Sequence, residues 1–171
     1  NDSNQISKYL HTLGDFERIG DHSVNIVKSV EELNDKKIAF SDDAQRELAV
    51  ISAALHDIID TTTESFANAD VEKACMVEPL EQVIDGLISE AKTRHILRLQ
   101  NGECTIKLGF VFSDMLSNFE RVSDHCSNIA VAMIEVSQSS FDTHEYLNSV
   151  KSNNNDAFQR YYALYKDKYI I

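Results

Sequence analysis

Turn-forming residues are scarce in this chain of 171 residues, which contains five glycines, one proline and no tryptophan. A β-sandwich or β-barrel needs many turns built on Gly and Pro, so this scarcity argues against such folds and favours long helices. Apolar residues still make up 43% of the chain, which is enough for the core of one ordinary domain. The composition therefore predicts an all-α protein.

Other absences exclude classes of function. No run of about twenty apolar residues is present, so no segment is predicted to span a membrane. The formal net charge of −12 disfavours nucleic acid as a partner, because phosphate backbones repel an acidic surface. The chain has no Gly-x-Ser-x-Gly, no glycine-rich phosphate loop and no Cys placed with a His in a catalytic pattern. We therefore predict that it is not an enzyme.

The three cysteines, Cys75, Cys104 and Cys126, are far apart, and none belongs to a Cys-x-x-Cys pair. Isolated thiols in odd number are typical of reduced cysteines in a cytosolic protein. No signal peptide is visible, the first residue is Asn, and the opening residues already have a helical pattern. We expect the chain to be a piece of a longer protein, and membrane attachment upstream stays open.

Apolar residues recur at spacings of three and four along most of the chain, which predicts helices with short connections and hence an antiparallel bundle. Four long helices are predicted, at about 4–34, 42–68, 71–99 and 104–136, and Ser41 is the expected N-cap of the second. A polar connector at 137–142 leads to one or two shorter helices within 143–171. Pro79 either kinks the third helix or marks a later start. An aromatic stripe from Phe158 to Tyr169 is expected to pack against the bundle.

One acidic phrase occurs twice, as DFERIGDHSVNIV at 15–27 and as NFERVSDHCSNIA at 118–130. In each copy a Glu precedes an Asp by four residues. Glu17 and Asp21, and likewise Glu120 and Asp124, therefore lie one turn apart on one helix face, with apolar residues opposite. A single pair of this kind is usually only a solvated surface. Its recurrence with the same flanking residues indicates a function.

A third pair, Glu81 and Asp85, occurs in the stretch EPLEQVID of the third predicted helix. If the third and fourth helices pack side by side, four carboxylates meet at their seam: Glu81, Asp85, Glu120 and Asp124. Oxygen ligands without thiols favour a hard cation such as Mg, Mn, Ca or iron. Such an ion would leave coordination positions for water or for an anion such as phosphate.

His22 and His125 lie at the border between the acidic and apolar faces. We interpret them as packing residues with one hydrogen-bonded ring nitrogen, in preference to metal ligands. Arg18 and Arg121 either pair with neighbouring acids or hold an anion. A metal-binding bundle has two alternatives. A ferritin-like di-metal enzyme needs Glu-x-x-His on two helices, which this chain lacks. An oligomerisation or adaptor bundle with a solvated acidic face remains open.

The repeated phrase resembles the signature of the PhoU family of phosphate-uptake regulators. Residues 94–130 and the stretch FSDDAQREL at 40–48 look most like the PhoU-type cytoplasmic C-terminal region of bacterial sodium/phosphate cotransporters. The resemblance covers about residues 5–136 and implies two similar three-helix bundles that present acidic pairs to metal ions. The ligands that it implies are Glu17, Asp21, Glu81, Asp85, Glu120 and Asp124, and the implied cofactor is a divalent or ferric ion (Fe, Mn, Mg or Zn). Asn25 and Asn128 match motif positions of unknown duty.

On this resemblance the chain divides into three parts. Residues 1–36 are the last helix of a truncated first bundle, 41–136 form a second three-helix bundle, and 143–171 are a C-terminal helical tail. The Glu17 and Asp21 site is then half-built, and the first helix is expected to dock on the remaining bundle or to pair with a second copy. The implied role is regulation of phosphate transport at the cytoplasmic side of the inner membrane. The implied partner is the membrane domain of a sodium-dependent phosphate transporter, with a homodimer as a further option.

Overall fold

The computed structural model describes the backbone of residues 2–139 and 146–171, and the side chains of residues 6–137 and 156–171. The described residues form six helices: α1 (Asp2–Lys36), α2 (Asp42–Asn68), α3 (Val71–Ala74), α4 (Val77–Gln100), α5 (Ile106–Ser139) and α6 (Tyr146–Lys168). No strand occurs among them, so the predicted all-α class is confirmed. None of the helices in these ranges is both long and apolar enough to cross a lipid bilayer.

Local signals set the ends of α2 and α4. The Ser41 hydroxyl accepts a hydrogen bond from the backbone N–H of Ala44 at 3.3 Å, which caps α2 as predicted. Asn101 is the C-terminal cap of α4, and Gly102 follows it with a φ of +73°, a conformation that glycine adopts without strain. The helix therefore ends at Gln100, next to the predicted end at 99.

The third predicted helix is divided into two. Asp70 accepts a hydrogen bond from the backbone N–H of Lys73 at 3.0 Å and caps the four-residue α3, and a new helix, α4, begins at Val77. Pro79 lies in the first turn of α4, where the missing N–H breaks no helical hydrogen bond. Of the two options for this proline, the later start is the one that the structure shows.

The core of the molecule lies between α2, α4 and α5. Its largest fully buried apolar side chains are Ile51, Ile58, Val77, Leu80, Ile84, Ile88, Phe112, Leu116, Val122 and Ile129. One buried ion pair fastens α2 to α4, because the Arg98 guanidinium donates two hydrogen bonds to the Glu47 carboxylate, each 2.8 Å long. This three-helix arrangement supports the acidic faces of α4 and α5, which point away from the core.

Helix α1 packs antiparallel against α5. Lys8 forms an ion pair with Glu135 at 2.9 Å near one end, and the Ser29 hydroxyl donates to Asp114 at 3.2 Å toward the other. Phe16, Ile19, Ile26 and Leu33 are partly buried against the core, which confirms that α1 docks on the bundle. Leu13 and Val30 belong to the same three- and four-residue apolar spacing but are 59% and 43% exposed, because they lie on a flank that no described helix covers.

Helix α6 returns over the bundle and contacts α4. Tyr165 and Tyr169 are buried, so the aromatic stripe packs as predicted. The Tyr169 hydroxyl and the Lys168 ammonium both donate to Asp57 of α2. The predicted connector at 137–142 is helical as far as Ser139, and its remaining residues, like 143–145 of the predicted tail, lie outside the described residues.

Candidate metal centre

Three of the predicted ligands meet where α4 and α5 pack together. Glu81 and Asp85 stand one turn apart on α4, and Asp124 approaches them from α5. One carboxylate oxygen from each residue lies within 4.8 Å of one from each of the others. Among the described residues this is the only group of three or more acidic, His or Cys side chains placed to hold an ion. The side-by-side packing expected from the sequence is therefore observed for these three residues.

Small side chains let the two helices approach closely. An added Cβ on Gly109 of α5 would lie 3.1 Å from Nε2 of His95 on α4, so only glycine fits there without a shift. At the other end of the seam, the Ser127 hydroxyl of α5 donates to the carboxylate of Glu78 on α4. Glu78 is thus held beside the candidate centre by a hydrogen bond.

Burial, together with the crowding of negative charge, changes the acidity of the centre. Burial, reinforced by the charges of Asp85, Glu78 and Asp124, raises the pKa of Glu81 to about 8. Burial also raises the pKa of Asp85, with Asp124 and Glu120 contributing through their charges. Protonated Glu81 donates a hydrogen bond to Asp85, which favours the charged form of Asp85. The centre therefore holds a proton near neutral pH, in a position where a bound cation would replace it.

Glu120, the fourth predicted ligand of this centre, has a different partner. Its Oε2 atom accepts a hydrogen bond from the Lys92 ammonium of α4 at 2.6 Å. Glu120 is not a member of the three-carboxylate group, although its charge still acts on Asp85. Lys92 was not singled out from the sequence. Its distance of seven residues, or two helical turns, from Asp85 places it on the same face and could have indicated it.

A cleft of about 310 Å³ opens beside Asp124 and is lined by Glu81, Arg121, Asp124, His125, Ser127 and Asn128. Arg121 lies at its edge, with Nη1 3.9 Å from Oδ2 of Asp124 and 66% of its side chain exposed. This contact fits the ordinary interpretation of Arg121 as the partner of a neighbouring acid. The exposed guanidinium also leaves donors free to face an anion in the cleft.

The first copy of the phrase lies on α1 with its acidic pair directed to solvent. Glu17 and Asp21 are both exposed, and no described carboxylate from another helix joins them in a group. Arg18 is exposed as well. The structure therefore brings together three of the six predicted ligands, places Glu120 next to them, and leaves the α1 pair apart.

The flanking residues of the two copies bind each other. Nδ1 of His22 lies 2.9 Å from Oδ1 of Asn118, and Nδ1 of His125 lies 2.8 Å from Oδ1 of Asp15. The imidazole rings of the two histidines stack with their centroids 5.8 Å apart. Asp15 and Asn118 occupy the same position in the two phrases, so the α1–α5 pair has an approximate twofold axis between the histidines. The interpretation of the histidines as packing residues is confirmed.

The asparagines of the motif also have partners in this interface. Nδ2 of Asn25 donates to Asn118 at 3.4 Å, and Nδ2 of Asn128 donates to Asp15 at 3.3 Å. Sequence reasoning left these asparagines without a role and did not single out Asp15 or Asn118. A signal was present, since the repeat begins with these two residues, two places before the Glu of each phrase.

The donor set fits a hard cation. Three carboxylates from two helices converge without a thiol or imidazole among them, which suits Mg, Mn, Ca or iron better than a soft metal. A bound ion would also offset the burial and the repulsion that together raise the pKa of Glu81. The residues that would hold it are Glu81, Asp85 and Asp124, with Glu120 within reach.

Comparison with known proteins gives two matches. A family described as "PhoU domain" matches residues 48–133, a segment that contains the candidate centre and not the first phrase. A Thermotoga maritima protein named "Phosphate-specific transport system accessory protein PhoU homolog 1" is 29% identical over 156 residues. That alignment covers 88% of this chain and 65% of the relative, so the chain spans just under two thirds of the relative's length. No solved structure gives a significant match.

Proposed function

This chain belongs to the PhoU domain family, and on that premise we propose that it is a regulatory module of phosphate transport that binds a metal ion. The observation that carries the proposal is the meeting of Glu81, Asp85 and Asp124 within 4.8 Å. The name of the Thermotoga maritima relative, a phosphate transport accessory protein, supports the physiological part of the proposal. No catalytic step is part of this role.

The metal would act as a structural and sensing group. A bound cation supplies positive charge that neutralises the α4–α5 seam and joins the two helices. Glu81, Asp85 and Asp124 would supply its oxygen ligands, and the exposed guanidinium of Arg121 would face an anion such as phosphate that enters the adjoining cleft. Occupancy would thus link the metal or phosphate level to the surface that α4 and α5 present to a partner.

The proposed partner is the membrane domain of a sodium-dependent phosphate transporter, at the cytoplasmic side of the inner membrane. The support is the resemblance of residues 94–130 and 40–48 to the corresponding cotransporter region. The transporter is either joined upstream in the same polypeptide or bound as a separate protein. Pull-down of the chain with inverted membrane vesicles tests this partner. We expect the chain to bind vesicles that contain the transporter and not vesicles that lack it, whereas a regulator with no transporter partner would bind neither.

The second part of the proposal concerns α1, which we interpret as the last helix of a first bundle, with residues 41–136 forming the second and 143–171 the tail. Exposed apolar residues follow one side of α1: Ile6, Leu10, Leu13, Val24 and Val27. The corresponding positions of α5 include Gly109 and Ser127, which contact α4. The uncovered side of α1 is therefore equivalent to the side of α5 on which α4 packs.

This equivalence supports a half-built site at Glu17 and Asp21, completed by a further helix from the same protein or a second copy. A homodimer would cover the apolar side of α1, since exposed apolar patches are rare on monomers. Sedimentation of the chain is expected to show association that increases with concentration and that Leu13→Gln with Val24→Gln abolishes. A wild-type monomer at all concentrations would contradict the dimer.

The metal-binding proposal is tested by titration calorimetry with manganese, magnesium and ferrous iron. Asp85→Asn with Asp124→Asn removes two of the three ligands without changing side-chain size and is expected to weaken binding at least a hundredfold. The matched control is Glu31→Gln with Asp35→Asn, an exposed pair of the same spacing on α1. Equal loss in both variants, or no heat in the wild type, would favour the alternative of an adaptor bundle with a solvated acidic face.

A further inference from the structure

A side chain of the protein itself, Lys92, places a positive charge beside the candidate centre. The ammonium of Lys92 lies 2.6 Å from Oε2 of Glu120, and the two side chains are 42% and 41% exposed. Lys92 is on α4, the helix that carries Glu81 and Asp85, and Glu120 is on α5, one turn before Asp124. The ion pair thus spans the same seam as the three gathered carboxylates.

The partners of the four carboxylates divide them into two groups. Glu81, Asp85 and Asp124 face one another, and a proton on Glu81 or a bound cation relieves the repulsion among them. Glu120 is close enough for its charge to act on Asp85, yet its own charge is neutralised by Lys92. An incoming metal ion therefore finds three converging carboxylates, of which Asp124 has a distant cationic partner in Arg121 at 3.9 Å. The fourth carboxylate, Glu120, is held by Lys92 at 2.6 Å.

We propose that Lys92 is a built-in competitor that lowers the metal affinity of this centre by holding Glu120, and that Glu120 transfers from Lys92 to the metal when an ion enters. The inference rests on the proposed metal site and adds a residue that sets its affinity. A surface ion pair of this type is worth a factor of about 1.4 to 5 in an equilibrium constant. The ammonium charge next to the centre also repels a divalent ion.

The test measures the affinity of the full chain for Mn²⁺. Titration calorimetry gives one measurement, and the loss of the free Mn²⁺ signal in electron paramagnetic resonance spectra gives a second. Lys92→Met removes the charge and keeps much of the apolar stem, and it is expected to tighten binding about three- to tenfold. Lys92→Arg keeps the ion pair and is expected to stay within twofold of the wild type. The control is Lys107→Met, which removes an exposed lysine elsewhere on α5.

A second variant separates competition for Glu120 from a general effect of charge. In a Glu120→Gln background there is no carboxylate to release, so Lys92→Met should tighten binding by less than half as much, on a logarithmic scale, as it does in the wild type. An equal gain in both backgrounds would overturn the competitor role. In crystals grown with manganese, the Lys92 to Glu120 separation is expected to exceed 4 Å.

The outcomes also separate this inference from the metal site itself. If the wild type binds manganese and Lys92→Met binds it no better, the competitor role is overturned and the metal site stands. If only Lys92→Met binds, the competitor role is supported in its strongest form. If neither variant binds, both proposals are overturned.

Discussion

His22 and His125 stack on each other across the α1–α5 interface, with ring centroids 5.8 Å apart and ring planes 23° apart. Each imidazole is held through Nδ1 by the residue that opens the other copy of the phrase, Asn118 for His22 and Asp15 for His125. The repeated phrase therefore has two physical roles. Its histidines join the copies to each other, while its acidic pairs face outward.

The interface predicts unequal effects of two substitutions. Asn118 is buried, accepts from His22 and Asn25, and donates to the backbone carbonyl of Asp114 at 2.9 Å. Asn118→Ala leaves these groups unpaired and is expected to lower the free energy of unfolding by about 1–3 kcal/mol. Asp15→Asn reproduces the His–Asn pair of the other half and is expected to cost less than about 1 kcal/mol. Urea unfolding of both variants, with unchanged m-values, measures the difference, and equal losses would contradict this account.

The acidic centre predicts a pH dependence of stability in the absence of metal. Glu81 has a pKa of about 8 in the folded chain against 4.5 as its ordinary value, so folding favours its protonated form. The associated stability is fully present below pH 4.5 and is lost as the pH rises to about 8. Glu81→Gln cannot lose this proton and should remove most of that decline. Urea unfolding midpoints of the wild type and of Glu81→Gln between pH 5 and 9 check the prediction. Parallel pH profiles for the two proteins would contradict it.

A second titratable group, His95, predicts the opposite pH dependence of stability. His95 is 3% exposed, its Nε2 has no hydrogen-bond partner, and burial together with the charge of Arg98 lowers its pKa from 6.5. Folding favours neutral His95, so stability is present above pH 6.5 and falls as the pH drops below it. His95→Leu should be less sensitive to acid between pH 6.5 and 5. Thermal unfolding of both chains across this range is the measurement, and an unchanged acid dependence would refute the assignment.

The buried ion pair between α2 and α4 predicts a large effect of removing one partner. Glu47 is 2% exposed and receives two hydrogen bonds from Arg98. Glu47→Gln leaves the Arg98 charge buried and uncompensated, and it is expected to cost about 3–5 kcal/mol. Replacing both residues, with Glu47→Leu and Arg98→Met, should be much less costly. Guanidinium-induced unfolding of the two variants measures the difference. A Glu47→Gln variant as stable as the variant with both replacements would contradict the interpretation.

Much of this arrangement could be predicted from the sequence because helix periodicity is a local property. The acidic and apolar faces of α4 and α5 and the cap at Ser41 depend on residues within a few turns. Pro79 marked a kink or a later start, and the sequence did not decide between them. The same periodicity placed Glu81 and Asp85 on the face that meets Asp124. Whether the two helices meet there depends on how they pack, and no local pattern determines that packing.

Other features depend on contacts between distant segments. The exposure of Leu13 and Val30 follows from which flank of α1 has a neighbouring helix, and no pattern within α1 shows this. The pairing of Lys92 with Glu120 joins residues 28 positions apart, so it depends on the register between α4 and α5. The histidine stack likewise depends on the antiparallel docking of α1.

Anomalous diffraction from a crystal of the full chain grown with manganese tests the central claim most directly. The account predicts a peak between Glu81, Asp85 and Asp124, with metal–oxygen distances of about 2–2.5 Å. Crystals of the variant with Asp85→Asn and Asp124→Asn, grown in the same way, should lack that peak. Carboxylates that point apart in the wild type, with no anomalous density between them, would contradict the metal-binding function.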